Sequence, residues 1–204
     1  PRSQIAELIE QCYEPWSNGR PLNRVLDLCT GGGCIAIASA HYLPDALVDG
    51  VDISPKALSL ANENAERLLV TDRVRFIESN LFAGLDGEVY DLIVTNPPYV
   101  THAEVDALPE EYRFEPENGL RAGHDGLDLV LQILAEAPKH LSDDGFLICE
   151  VGESERALVE LLPQLPFNWI EFKVGQMGIF QIERDNLLTW HIEIEALAAE
   201  RRGR

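Results

Sequence analysis

The sequence has 204 residues, 46% apolar and 25% charged, the balance of one globular domain with a substantial core. That excludes collagen-like, fibrous and wholly disordered classes. Lys and Arg number 16 against 35 Asp and Glu, a net charge of −19, which argues against a surface that grips nucleic acid through its phosphates and suits a soluble protein or one with a basic partner.

In chain order, apolar strand-like runs alternate with helical patterns. Arg24–Cys29 is the first strand, after the turn-like Ser17–Pro21. A helix is expected from Gly33 through Cys34–Ala40. Leu47–Asp52 reads as the second strand. Ser54 then caps a helix with Pro55 at its first position, running over Lys56–Leu68. Val74–Glu78 and Tyr90–Thr95 are strands three and four. A helix over Leu127–His140 leads to strand five, Gly145–Val151. Phe167–Val174 and Gly178–Arg184 suit an antiparallel pair, and the tail reads as one helix with Leu187, Trp190, Ile194 and Leu197 on one face. Such alternation implies an α/β fold, a doubly wound and mostly parallel sheet, with ligands at the carboxyl ends of its strands.

The chemistry-bearing residues fall at those ends. Asp27–Gly33 follows strand one; its three glycines permit a tight turn and close approach of a ligand to a helix N-terminus. Asp52 ends strand two, about twenty residues on, the place for a carboxylate that accepts both ribose hydroxyls. After strand three, Asn80 suits an adenine edge and Leu81 the ring face. After strand four comes Asn96-Pro97-Pro98-Tyr99. Two prolines stiffen this loop and withdraw two donors, which leaves acceptors at Asn96 and Pro97 beside the Tyr99 ring, a slot for a planar amino group.

The four cysteines contain no CxxC pair and the five histidines no metal spacing, so no metal is expected and a reduced, cytoplasmic setting is. The apolar run Cys34–Ala40 is too short to cross a membrane. Glu110, Glu111, Glu115 and Glu117 give the loop after Tyr99 an acidic face.

Asp27–Gly33, Val51–Ser54 and Asn96–Tyr99 together resemble the class I S-adenosylmethionine-dependent methyltransferases that methylate amino groups. The Asn-Pro-Pro-Tyr signature is shared by protein-glutamine N5-methyltransferases and DNA adenine-N6 methyltransferases. Asn96–Val100, Leu108–Pro116, Gly119–Leu129 and Cys149–Gly152 resemble the subfamily that acts on a glutamine of protein three of the large ribosomal subunit. The sibling subfamily, which acts on peptide-chain release factors, is the alternative; a DNA enzyme and an inactive cofactor-binding module follow it. The resemblance implies a Rossmann-like sheet of seven strands with the last antiparallel, spanning residues 1–184, with 185–204 as a helical tail. It implies S-adenosylmethionine held by Cys29, Thr30, Gly31, Gly32, Gly33, Asp52, Ile53, Asn80, Leu81 and Asn96. Asn96, Pro97, Pro98 and Tyr99 would hold the substrate amide, with Asn96, Pro97 and Tyr99 carrying catalysis. The expected partner is a basic ribosomal protein, with no direct nucleic-acid or membrane contact. Two features depart from the family pattern. Asn80 stands where Asp is usual, and Pro1–Leu8 looks like the segment that follows the family's N-terminal helical substrate-binding domain.

Overall fold

The computed structural model describes residues 3–98, 126–172 and 178–202. Seven strands form one sheet: β1 Arg24–Leu28, β2 Leu47–Asp52, β3 Val74–Glu78, β4 Tyr90–Thr95, β5 Leu141–Glu150, β6 Asn168–Trp169 and β7 Ile179–Glu183. Their order is β3-β2-β1-β4-β5-β7-β6, parallel except for β7, which runs against both neighbours. The expected doubly wound sheet is therefore present, and the strand order reverses between β1 and β4.

The first four strands match the sequence reading; β1, β2 and β4 are mostly buried, as covered faces favour in a parallel sheet, while the edge strand β3 is partly exposed. Strand β5 starts earlier than expected, at Leu141. Leu141 pairs with Tyr90 before a register shift brings Phe146 opposite Leu92, so the polar Ser142–Asp144 stretch that reads as a turn is drawn in as an irregular extension. The β6–β7 pair is antiparallel as expected, but β6 is two residues long. The Ile170 amide extends the pairing by donating to the Ile179 carbonyl at 2.8 Å.

Helices cover both faces. On one lie α1 (Ile5–Glu10), α2 (Cys34–Tyr42) and α3 (Pro55–Arg67), whose buried Ile5, Ile9, Ile37 and Ala65 pack with Val25, Val48 and Val94. On the other lie α4 (Asp128–His140), α5 (Glu155–Leu161), α6 (Arg184–Thr189) and α7 (His191–Arg202), packed on Leu26, Leu28, Ile93 and Leu147. Ser54 caps α3 as expected: its hydroxyl accepts from the Ala57 amide at 3.3 Å, with Pro55 opening the helix. The tail is two helices rather than one, broken at Trp190. Leu187 and Ile194 are still buried and Trp190 and Leu197 still pack on the core, so the expected apolar stripe survives the break.

Candidate active site

The ends of β1, β2, β3 and β4 are stitched together at the carboxyl edge. The Thr30 amide donates to the Val51 carbonyl at 2.8 Å, and the Ser79 amide to the Asp52 carbonyl at 3.0 Å. The Thr95 hydroxyl donates to the Leu28 carbonyl at 2.7 Å. The last bond matters most, because Leu28 precedes Cys29 and Thr95 precedes Asn96. It fixes the glycine turn and the Asn-Pro-Pro segment side by side at the reversal in strand order.

The turn after β1 is under conformational demand. Cys29 has φ 63° and Gly31 φ 55°, both left-handed. At the buried Gly33, φ is 80° and an added Cβ would come within 2.9 Å of the Phe76 ring and 3.0 Å of Ala61. Only glycine fits there. An added Cβ on Gly31 would meet nothing within 4 Å, so that backbone faces open space. Non-glycine residues held left-handed are costly and persist where the surroundings enforce them, often at functional sites. Leu81, after β3, is a second such case with φ 49°.

Asp52 lies directly across from this turn. One carboxylate oxygen accepts from the Gly31 amide and the other from the Ser54 amide, both at 2.9 Å. A carboxylate has about four acceptor positions, so capacity remains on each oxygen for a diol. Ile53 beside it is 57% exposed, an apolar side chain offered at the rim. Asn80 is exposed at the end of β3, while Leu81 is buried in the core and contributes its strained backbone to the rim rather than a free side chain. Asn96 and Pro98 are half-buried and Pro97 is buried. Tyr99 and the acidic loop, with His102 and His124, lie outside the described residues.

The structure adds roles that the sequence reading did not assign. Asp27 is fully buried in β1; its Oδ2 accepts from the Thr30 hydroxyl at 2.5 Å and the Ala36 amide at 2.9 Å. Its Oδ1 is buried with no hydrogen-bond partner. Burial pushes the Asp27 carboxyl up to about 7, against the lowering effect of those two bonds. Asn64 on α3 donates to the Gly32 carbonyl at 2.9 Å and holds the turn from its other side. Burial, reinforced by the charges of Asp52 and Asp27, pushes the Cys29 thiol up to about 12, so it stays protonated and unreactive. Glu150, at the end of β5, is buried and accepts from the Ser3 hydroxyl at 2.5 Å, which ties the segment before α1 to the same edge. Asp27 and Cys29 lay within the glycine motif and Glu150 within Cys149–Gly152, whereas Asn64 carried no local signal.

The residues present fit an adenosyl ligand: open space at the Gly31 backbone, spare carboxylate capacity at Asp52 and an exposed apolar wall at Ile53. Among the described residues no cluster of His, Cys, Asp or Glu is arranged to hold a metal. Sheet order, stitched loops and this donor set define a class I Rossmann-like methyltransferase domain.

Comparison with known proteins agrees. The family model described as Methyltransferase small domain matches residues 14–111. The chain is 63% identical over 201 residues to the ribosomal protein uL3 glutamine methyltransferase of Xanthomonas campestris pv. campestris, covering 98% of this chain and 65% of that relative. Two solved structures share the fold. The ribosomal protein L11 methylase of Lactobacillus delbrueckii subsp. bulgaricus has TM-score 0.58 at 23% identity, over 88% of this chain and 77% of that one. The hMettl16 catalytic domain in complex with the MAT2A 3'UTR hairpin 1 has TM-score 0.61 at 20% identity, over 89% and 69%. The chain belongs to the protein-glutamine methyltransferase family that its sequence relatives represent. It spans a little under two thirds of the length of those relatives.

Proposed function

We propose that this chain is the catalytic domain of an enzyme that methylates the side-chain amide nitrogen of a glutamine in ribosomal protein uL3. S-adenosylmethionine would be the methyl donor. The observation that carries the reading is the Thr95–Leu28 bond, which holds Asn96–Pro98 beside the turn after β1. The 63% identity to proteins named for this activity supports the substrate. Residues 1–184 would form the catalytic unit and 185–204 the helical tail. The cytoplasm is where a ribosomal protein would be met, and among the described residues no helix is long and apolar enough to cross a membrane.

The Cys29–Gly33 turn would hold the methionine part of the cofactor, Asp52 the ribose, and Ile53 with Asn80 and Leu81 the adenine. When bound, the cofactor supplies an electrophilic methyl group on a sulfonium. The chain's own task is set by the substrate, because an amide nitrogen is a poor nucleophile with its lone pair delocalised into the carbonyl. The Asn96 side-chain oxygen and the Pro97 carbonyl would each accept one N–H of the glutamine amide. Gripped at both hydrogens, the nitrogen is turned to present its lone pair toward the turn after β1. The same two acceptors stabilise positive charge as it grows on nitrogen. Pro98 and Tyr99 would flank the amide plane. No base is needed beforehand, since the methylated nitrogen is acidic and releases its proton afterwards to water.

The test is a transfer assay with methyl-labelled S-adenosylmethionine and purified unmodified uL3. Label in uL3, lost with Asn96→Ala, is the expected result. Label in a release factor but not in uL3 would move the enzyme to the sibling subfamily.

A further inference from the structure

The proposed chemistry leaves one cavity unused. A groove of about 310 Å³ lies between α1, the turn that follows it, and the edge strand β6. Trp16, Trp169 and Phe172, all partly buried, form its apolar walls. Glu7, Glu14 and Glu171 stand around them. Among the described residues no Lys or Arg lines the groove, although Arg20 lies near enough to Glu14 to act on its charge. Among the described residues none forms an ion pair with those three carboxylates. Hydrogen bonds from Ser17 and the Gly19 amide hold the exposed Glu14 carboxyl below its ordinary range, so it stays charged.

Aromatic faces ringed by carboxylates select for one chemistry. A guanidinium or ammonium group is attracted to the ring face and to the acids at once, while its methylene stem covers the apolar wall. A phosphate would be repelled, which excludes nucleic acid. A second copy of this chain, also at −19, offers no complementary charge. β6 is the last strand of the sheet, so the outer side of its backbone borders the groove without a strand partner among the described elements. An extended segment laid there can take main-chain hydrogen bonds as well as side-chain contacts.

We propose that this groove docks a basic, extended segment of the protein substrate, its Lys or Arg side chains against Trp16, Trp169 and Phe172 and its charges against Glu7, Glu14 and Glu171. The choice of uL3 as that substrate rests on the proposed function; the preference for a basic segment rests on the groove. Docking here, at the β6 end of the sheet rather than at β1 and β4, would hold the substrate protein beside the reaction site and leave the glutamine to the Asn96 slot. It would therefore appear in KM and in on-rate rather than in the chemical step.

The test is the charge reversal Glu7→Lys with Glu171→Lys, both away from the cofactor turn. With purified uL3, KM is expected to rise about ten-fold or more while kcat, thermal midpoint and S-adenosylhomocysteine affinity hold. Wild-type KM should rise with salt, and that dependence should flatten in the double variant. Trp16→Leu, which keeps an apolar side chain against the core, should also raise KM. Unchanged KM in both variants overturns the groove, whichever other part of the chain or of a longer protein then covers it. If the wild type labels no uL3, the proposed function fails on its own. The groove is then judged with a fluorescent oligo-arginine peptide: binding lost in the double variant supports it, and no difference overturns it.

Discussion

The two ends of the sheet handle polar groups in opposite ways. At the amino end, the buried Asp49 accepts from Arg24 at 2.9 Å, from Arg75 Nε and Nη2 at 2.5 and 2.9 Å, and from the Tyr90 hydroxyl at 2.8 Å. Glu88 accepts from the same two arginines at 2.8 and 2.7 Å. That cluster is nearly closed: its acceptors are taken up by its own donors, although the buried Arg24 Nε has no hydrogen-bond partner, and the two arginines hold the Glu88 carboxyl low. At the carboxyl end, Asp52 spends each oxygen on one backbone amide and keeps acceptor capacity, and the Gly31 backbone faces open space. One end uses polarity to satisfy itself, and the other uses its hydrogen bonds to fix the backbone while leaving groups free for something else. A closed network contributes to stability and an open one to binding.

The sharpest way to break that contrast is to damage each end and read both properties. Asp49→Ala leaves the Tyr90 phenol without its acceptor and two partly exposed arginines with Glu88 as their carboxylate partner, and loss of such charge-assisted hydrogen bonds costs about 1.5–3 kcal/mol. The thermal midpoint should fall steeply while S-adenosylhomocysteine affinity of the folded protein is kept, as calorimetry can show. Asn96→Ala should do the reverse. Turnover falls roughly 100-fold or more, by analogy with loss of one transition-state hydrogen bond, and the midpoint barely moves.

Asp27 offers an intermediate case, a closed group at the open end. Its folded carboxyl titrates near 7 against an ordinary value of 3.8, so between those pH values the folded state binds a proton that the unfolded state has released. Its contribution to stability is therefore most favourable below about pH 4, declines as pH rises toward 7, and is flat above. Asp27→Asn lacks that decline, so its denaturant midpoint should gain on the wild type's as pH rises from about 4 to about 7. Equal pH slopes would show that Asp27 is ionised throughout. The smallest effect is Asn80→Asp, which restores the family's usual residue on the open end. A charged acceptor strengthens a hydrogen bond from an amine, so a few-fold gain in cofactor affinity is expected by titration calorimetry.

These ends were unequally legible in the sequence. The carboxyl end announces itself because glycines, an Asp about twenty residues on and an Asn-Pro-Pro run are local patterns whose meaning follows from the end of a strand. The amino-end cluster joins residues 24, 49, 75, 88 and 90, no two of which form a motif; only the register of four parallel strands brings them together. Asp27 lay within a recognised stretch, yet its burial depends on α2 folding over it. β5 was read short because Asp143 and Asp144 resemble a turn, and pairing of Leu141 with Tyr90 overrides that local preference. The tail was read as one helix because its apolar spacing continues through Trp190, and spacing alone does not register a break that leaves the stripe in phase.

That tail holds α4 in place from outside. Ile194 and Ala198 of α7 are buried against the core, and Arg201 donates to Asp128, the first residue of α4, at 3.2 Å. Arg202 and Glu136 lie 3.9 Å apart farther along the same pair of helices. In a parallel fold α4 runs back from the carboxyl edge of the sheet, so its first turn stands at that edge. The two helices of the tail thus act as a guy-rope on the foot of α4. Cutting it would remove no reacting group, yet it would let the frame around the slot sway, and catalysis would be lost through slackness rather than through any missing part.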